Sequence, residues 1–414
     1  MAHITVITIS REYGAGGGET AQRLAGTLGW QLLDQALIHA AATVEHLPDS
    51  ELEKLDEKAV SMVDRFRLHP PHQKYLHGIA TVAREAAAKG QVVLVGRGTR
   101  QLLGEMATAF HLRLVAPIAW RAARMARLEG WTQEQAHARC LEVDRTRERF
   151  IRYFFGAQAL LPEQYDLVVN SARVPIEEIV AWVVALVRND WPTQGQKKAE
   201  SKRVLTLARQ LGAGDSGFAP TLAARLGLRV YDRDLLEQEA VRLGIPEAEL
   251  EKIDEQPAGI FQRFRPGSLQ QRYIETLGKL MRELAKRGNV LLVGRGGSRF
   301  LQDMPGAVHI RLVAPLAIRV QRVMAHRWVR EEPARQMIIQ SDECRRRFYQ
   351  DYFGADWTSP LEYHLTINSG RLGATAVDLA AYAAERLWQL DAASPPTSDP
   401  PSPWKGQEGS LRGV

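Results

Sequence analysis

The strongest constraint on this chain is that it is written twice. Gly14 recurs as Gly212, Asp34 as Asp232, Tyr75 as Tyr273 and Gly96-Arg97-Gly98 as Gly294-Arg295-Gly296, always 198 positions apart. Asp144 and Asp342, Gly156 and Gly354, and Asn170 and Asn368 keep the same offset. Self-similarity at one fixed period means one fold used twice, so a single copy has to be read first and then doubled. For 414 residues this gives two domains of ordinary size. The copies are expected to span 1–190 and 204–391, joined by the polar stretch RNDWPTQGQKKAESKR. The Pro/Ser/Gly-rich tail over 392–414 has the composition of a disordered segment.

Within copy one, ITVITIS at 4–10, WQLLD at 30–34, QVVLVG at 91–96, AFHLRLV at 109–115 and YDLVVN at 165–170 read as short buried strands. Between them, apolar residues recur at helical spacing over 19–28, 72–90, 117–129 and 132–153, with Gly29 as a helix stop. Alternating strand and helix predicts an α/β fold, a parallel five-stranded sheet covered by helices on both faces. Ligands in such folds bind beyond the carboxyl ends of the strands.

Composition narrows the function. No apolar run approaches the roughly 18 residues of a membrane span, and the N-terminus runs straight into a strand pattern without a signal-like segment, so a cytoplasmic protein with no membrane partner is expected. Two cysteines, Cys140 and Cys344, give neither a disulfide framework nor a CxxC metal pair, and the eleven histidines lack zinc-site spacing, so no protein-held metal is expected. The net charge of +6 is modest and forms no basic tail. Anionic small molecules account for it as well as nucleic acid would.

TISREYGAGGGETA at 8–21 places Gly14, Gly16, Gly17 and Gly18 between a strand and a helix, where backbone N–H groups can hold an anion. A ligand-free tight turn is the alternative. Copy two contains GAGDSG at 212–217 with Asp232 about 20 residues on, the spacing of a dinucleotide fingerprint, so a dinucleotide-binding oxidoreductase is a further reading. Three residues between strand and first glycine, and Glu19 at the third glycine position of copy one, count against it.

ITISREYGAGGGETA, LLDQALI, VLVGRG, the Asp144–Arg147 stretch with RYFFG, and YDLVVN resemble, in order and spacing, the cytidylate kinase-like family, a branch of the phosphate-loop nucleoside monophosphate kinases. Copy two matches through RQLGAGDSG, VYDRDLL, LLVGRG, DECRRRFYQDYFGADW and YHLTINS. The resemblance implies two tandem P-loop, three-layer α/β/α domains that move a phosphoryl group from Mg2+-ATP to a nucleoside monophosphate such as CMP or dCMP. Gly17 stands where the usual loop lysine would be and Gly18 where the Mg2+-binding hydroxyl would be. Copy two carries Asp215 and Ser216 at those places.

By the same resemblance, Arg11 replaces the lysine and the N–H groups of Gly14, Ala15, Gly16, Gly17 and Gly18 hold the donor phosphates. Arg97 grips the acceptor phosphate, and Asp34, at the end of the second strand, contacts acceptor base or ribose; a helix N-cap explains Asp34 as well. Residues 121–152 hold eight arginines against five carboxylates and correspond to a lid. Arg124, Arg127 and Arg147 are expected to meet transition-state charge, with Asp144 facing the same ligand one turn from Arg147. Tyr153, Phe154 and Phe155 fit either base stacking or core packing. With the loop lysine absent from both copies, a non-catalytic nucleotide sensor or scaffold stays open, as does an intramolecular pseudo-dimer of the two copies.

Overall fold

The computed structural model describes residues 3–34, 71–96, 98–104, 106–191, 202–214, 217–232, 269–294 and 296–393. Copy one supplies strands β1 (Val6–Arg11), β2 (Gln31–Leu33), β3 (Val92–Val95), β4 (Ala109–Val115) and β5 (Leu167–Asn170). Its helices are α1 (Gly17–Leu28), α2 (Pro71–Lys89), α3 (Thr99–Leu102), α4 (Ile118–Glu129), α5 (Gln133–Phe155) and α6 (Ile176–Arg188). Copy two repeats the strands as β6 (Val204–Arg209), β7 (Arg229–Tyr231), β8 (Val290–Val293), β9 (Ala307–Val313) and β10 (Leu365–Asn368). Its helices are α7 (Phe218–Leu226), α8 (Leu269–Arg287), α9 (Gly297–Phe300), α10 (Leu316–Arg327), α11 (Glu331–Phe353), α12 (Ser369–Leu372) and α13 (Thr375–Ala393).

The strands of copy one pair in parallel in the order β2-β3-β1-β4-β5. β3 is buried throughout, as expected of an interior strand covered on both faces. Strand order separates this fold from the dinucleotide fold, in which the second strand, and not the third, lies beside the first. Helices follow local rules: α1 ends at Gly29, whose φ of 70° closes the helix in the left-handed region, and α5 opens with a Thr132/Gln135 capping box.

The two five-stranded sheets are one. β5 and β10 run antiparallel, pairing Val169 with Leu365, Val168 with Thr366 and Leu167 with Ile367. In the repeat frame Thr366 is the counterpart of Val168, so a local two-fold passes between these residues. Each apolar edge that a lone copy would present is thereby covered by the other. Asn170 donates through Nδ2 to Leu361 O at 3.1 Å, and Asn368 through Nδ2 to Glu163 O at 2.7 Å and Tyr165 O at 3.0 Å. α6 packs on α13, and Arg386 forks onto Glu178 at 2.7 and 2.6 Å. One hydrophobic cluster spans both copies, from Ile7 and Trp182 to Leu379 and Trp388. The result is a ten-stranded mixed sheet with parallel halves, an intramolecular pseudo-dimer.

Candidate active site

β1 delivers Arg11 to the carboxyl edge of the sheet, and residues 12–16 form the loop to α1. Gly14 and Gly16 take φ of 81° and 86°, the left-handed region that glycine enters without penalty. A Cβ on Gly16 would lie 2.7 Å from Ile176 Cδ1, so the close packing of α6 against the loop also demands glycine. Gly16 caps α1 without a side chain. The N–H groups of Gly17, Gly18 and Glu19 therefore have no acceptor within the helix, and they join the positive end of its dipole. Thr20 is turned away, its N–H and Oγ1 both donating to Gly16 O, at 3.0 and 2.9 Å.

Positive side chains surround this helix end. The Arg11 side chain crosses the face of Gly17, where an added Cβ would stand 2.7 Å from Arg11 Cβ and Cγ. It then passes Gly96 and reaches Asp34 Oδ1 at 3.5 Å. Arg147 donates to Arg11 O at 3.4 Å and lies over the Tyr13 ring at 5.7 Å. Burial pulls its pKa down, opposed by Asp144 and Asp34. Arg124 pairs with Glu19 Oε2 at 2.8 Å and approaches Gly14 O at 3.4 Å. Arg11, Asp34, Arg124 and Arg147 are thus gathered around one loop. Arg127 is exposed in the last turn of α4 and makes no ion pair or hydrogen bond with that group among the described residues. Arg97 lies outside the described residues, as do residues 35–43, on which the N-cap alternative for Asp34 rests; the flanking Gly98 packs against Phe155, where an added Cβ would come within 2.6 Å of the ring.

Asp144 sits beneath the loop. Its Oδ1 accepts from Tyr13 N at 2.7 Å and its Oδ2 from Arg121 Nη1 at 2.5 Å. Arg121, nearly buried, also donates to Tyr13 O at 2.9 Å and Ala116 O at 2.8 Å, and its Nε lies 3.4 Å from Glu12 Oε2. Glu12 accepts from Ala116 N at 3.0 Å, and burial pushes its pKa up against the pull of Arg121. Glu12, Arg121 and Asp144 form a network that fixes the loop backbone. Sequence reasoning missed Glu12 and Glu19 as partners of Arg121 and Arg124 because those arginines come from α4, more than a hundred residues away.

The aromatic run at the end of α5 packs on itself, with Phe154 within 4.9 Å of Phe150 and 4.8 Å of Tyr153 between centroids.

Residues 6–173 and 204–371 each match the cytidylate kinase-like family. The chain belongs to that family.

Among curated relatives, cytidylate kinases of Methanopyrus kandleri and Pyrococcus horikoshii are 27% and 26% identical over 177 and 173 residues, covering 85% and 82% of those proteins and 41% and 42% of this chain. A uronate isomerase of Corynebacterium glutamicum is 30% identical over 108 residues, 26% of this chain, and this stretch spans about a fifth (21%) of that protein. Among solved structures, an uncharacterized protein from Eubacterium ventriosum is similar at 20% identity and TM-score 0.37, covering 46% of this chain and 99% of that one. No helix among the described residues is long and apolar enough to cross a membrane.

The second cytidylate kinase-like copy repeats the anchoring and differs in the described residues that follow its loop. Arg319 holds Leu211 O at 2.8 Å and Asp342 at 2.7 Å, as Arg121 holds Tyr13 and Asp144. Its helix α7, however, begins at Phe218, three residues later in the repeat frame than α1, and buried Phe218 replaces Thr20. Arg322, the counterpart of Arg124, donates to Gly212 O at 3.3 Å, Ala213 O at 3.0 Å and Ser369 Oγ at 3.0 Å. Both arginines reach the carbonyl of the first loop glycine; Arg124 adds the carboxylate of Glu19, whereas Arg322 adds Ala213 O and Ser369. Asp215 and Ser216 lie outside the described residues.

Proposed function

We propose that the chain transfers the γ-phosphoryl group of ATP to a nucleoside monophosphate of the CMP or dCMP type, and that copy one does so. The observation that carries this reading is the side chain of Arg11 lying across Gly17, beside the uncapped start of α1. A guanidinium occupies the space over the residue that replaces the loop lysine, next to backbone donors that suit phosphate oxygens. Arg124 and Arg147 add positive charge on the α4 and α5 side, and the acceptor is assigned to Arg97 and Asp34. As the acceptor's phosphate oxygen bonds to the γ-phosphorus, the bond to ADP breaks, so the protein's task is positioning and charge stabilisation.

Among the described residues no cluster of three or more His, Cys, Asp or Glu side chains suits a metal ion, Gly18 has no hydroxyl, and that of Thr20 is committed to Gly16. These residues do not fit a resident ion. Mg2+ enters the proposal as the counter-ion of ATP, part of the substrate.

A non-catalytic role is supported for copy two alone, by the arginine folded onto its loop carbonyls. The test is diphosphate formation from Mg-ATP and a panel of nucleoside monophosphates, with Arg11→Ala beside the wild type. Loss of one well-placed positive charge should lower the rate about 100- to 1000-fold. A wild-type chain without turnover on any monophosphate rejects the catalytic reading.

A further inference from the structure

Copy two reaches into the acceptor side of copy one. Arg371, in α12, donates from Nε to Asp166 Oδ1 at 2.7 Å and from Nη1 to Gly104 O at 3.3 Å. Gly104 closes the turn after α3, the short helix that starts two residues beyond Arg97. Asp166 is buried, and its other oxygen accepts from His111 N in β4 at 2.6 Å. α3 is clamped further by Arg100, which donates to Gln164 O and Oε1, and by Gln101, which donates to Ala159 O at 3.0 Å. The segment carrying Gln164 is in turn gripped by Asn368 of copy two.

The Arg371–Asp166 bond has no mirror image, although Asn170 grips Leu361 O as Asn368 grips Glu163 O. The counterpart of Asp166 is His364, which through Nδ1 accepts from His309 N at 3.0 Å and offers no carboxylate to an arginine. The counterpart of Arg371 is Arg173, which lies near Glu362 and Asp303 of copy two, with Glu362 itself paired with Arg299 at 2.5 Å. Duplication alone predicts equal bracing in both directions. The structure keeps the arginine–carboxylate bond in one direction, from copy two to copy one.

We infer that Arg371 is a positioning residue for copy one, by which copy two fixes α3 so that a nucleoside monophosphate is held beside that helix. This rests on the acceptor assignment made above. A guanidinium on a buried carboxylate and a helix-end carbonyl fixes direction as well as charge, which a lysine reproduces in part.

The experiment is calorimetric titration of the full chain with CMP, dCMP and ATP separately, for wild type, Arg371→Gln, Arg371→Lys and Arg386→Gln. The last removes an inter-copy fork remote from α3 and controls for lost stability. Arg371→Gln should weaken monophosphate binding about tenfold and leave ATP binding unchanged; Arg371→Lys should recover part of the loss, and Arg386→Gln should leave both affinities intact. Unchanged monophosphate affinity in Arg371→Gln, or equal losses for ATP and monophosphate in Arg371→Gln and Arg386→Gln, overturns the inference alone. A wild-type chain that binds ATP but neither monophosphate rejects the acceptor assignment itself, and the inference with it.

Discussion

Arg11 and Gly17 are locked together: a Cβ on Gly17 would stand 2.7 Å from Arg11 Cβ and Cγ. The missing loop lysine is thus part of a steric exchange and no simple deletion. Restoring it by Gly17→Lys should not rescue a conventional loop. Overpacking of this kind costs about 1–3 kcal/mol, and Gly17→Lys should lose both thermal stability and ATP affinity. Pairing it with Arg11→Ser should recover the stability, as read by melting temperature and calorimetry. Full stability in Gly17→Lys alone contradicts the contact.

Arg124 is held at the loop mouth by Glu19, a carboxylate in the first turn of α1 that also pairs with Arg23 at 2.7 Å. Incoming phosphate must compete with that carboxylate for Arg124. Glu19→Gln should therefore tighten ATP binding by about three- to fivefold, the scale of a partly exposed ion pair of up to ~1 kcal/mol. The gain should shrink in high salt. Weaker ATP binding in Glu19→Gln would mean that the carboxylate assists the donor and does not compete with it.

Asp144 ties Tyr13 N and Arg121 to one carboxylate. Asp144→Ala leaves a nearly buried guanidinium with only the more distant Glu12 as counter-charge, which should cost about 3 kcal/mol in denaturant unfolding. Asp144→Asn keeps the backbone contact and should lose less. Equal, negligible losses in both variants would assign Asp144 no anchoring role.

His309 is buried against Thr206 Oγ1 at 2.8 Å, and desolvation lowers its pKa to about 3. His111 and His364 shift in the same direction, also chiefly through burial. Between the ordinary value of 6.5 and about 3 the unfolded chain binds protons that the folded chain refuses. Stability should therefore be steady above pH 6.5 and fall as pH drops through this window. His309→Gln should have a shallower acid limb in chemical denaturation; an unaltered slope places the acid sensitivity elsewhere.

The repeat made most of the fold legible. An offset without gaps and short apolar runs located the strands of copy one within one or two residues, because interior parallel strands are continuous apolar stretches that need no partner to be recognised. The β5–β10 junction was not legible: Val168 and Thr366 show nothing in the sequence that says they meet across a two-fold. In the site, glycine positions announced the loop, whereas the roles of Glu12, Glu19 and Asp144 depend on α4 and α5 folding back over it. The late start of α7 turns on local packing of Phe218, which a GxGxxG string does not display.

The proposed function requires that one copy hold the donor nucleotide and that Arg11 make it able to. Calorimetric titration of the full chain with ATP tests this directly, in wild type, Arg11→Ala and Arg322→Ala. One site per chain is expected, lost or strongly weakened in Arg11→Ala and kept in Arg322→Ala. Two sites per chain, or a single site that survives Arg11→Ala and disappears in Arg322→Ala, would contradict it.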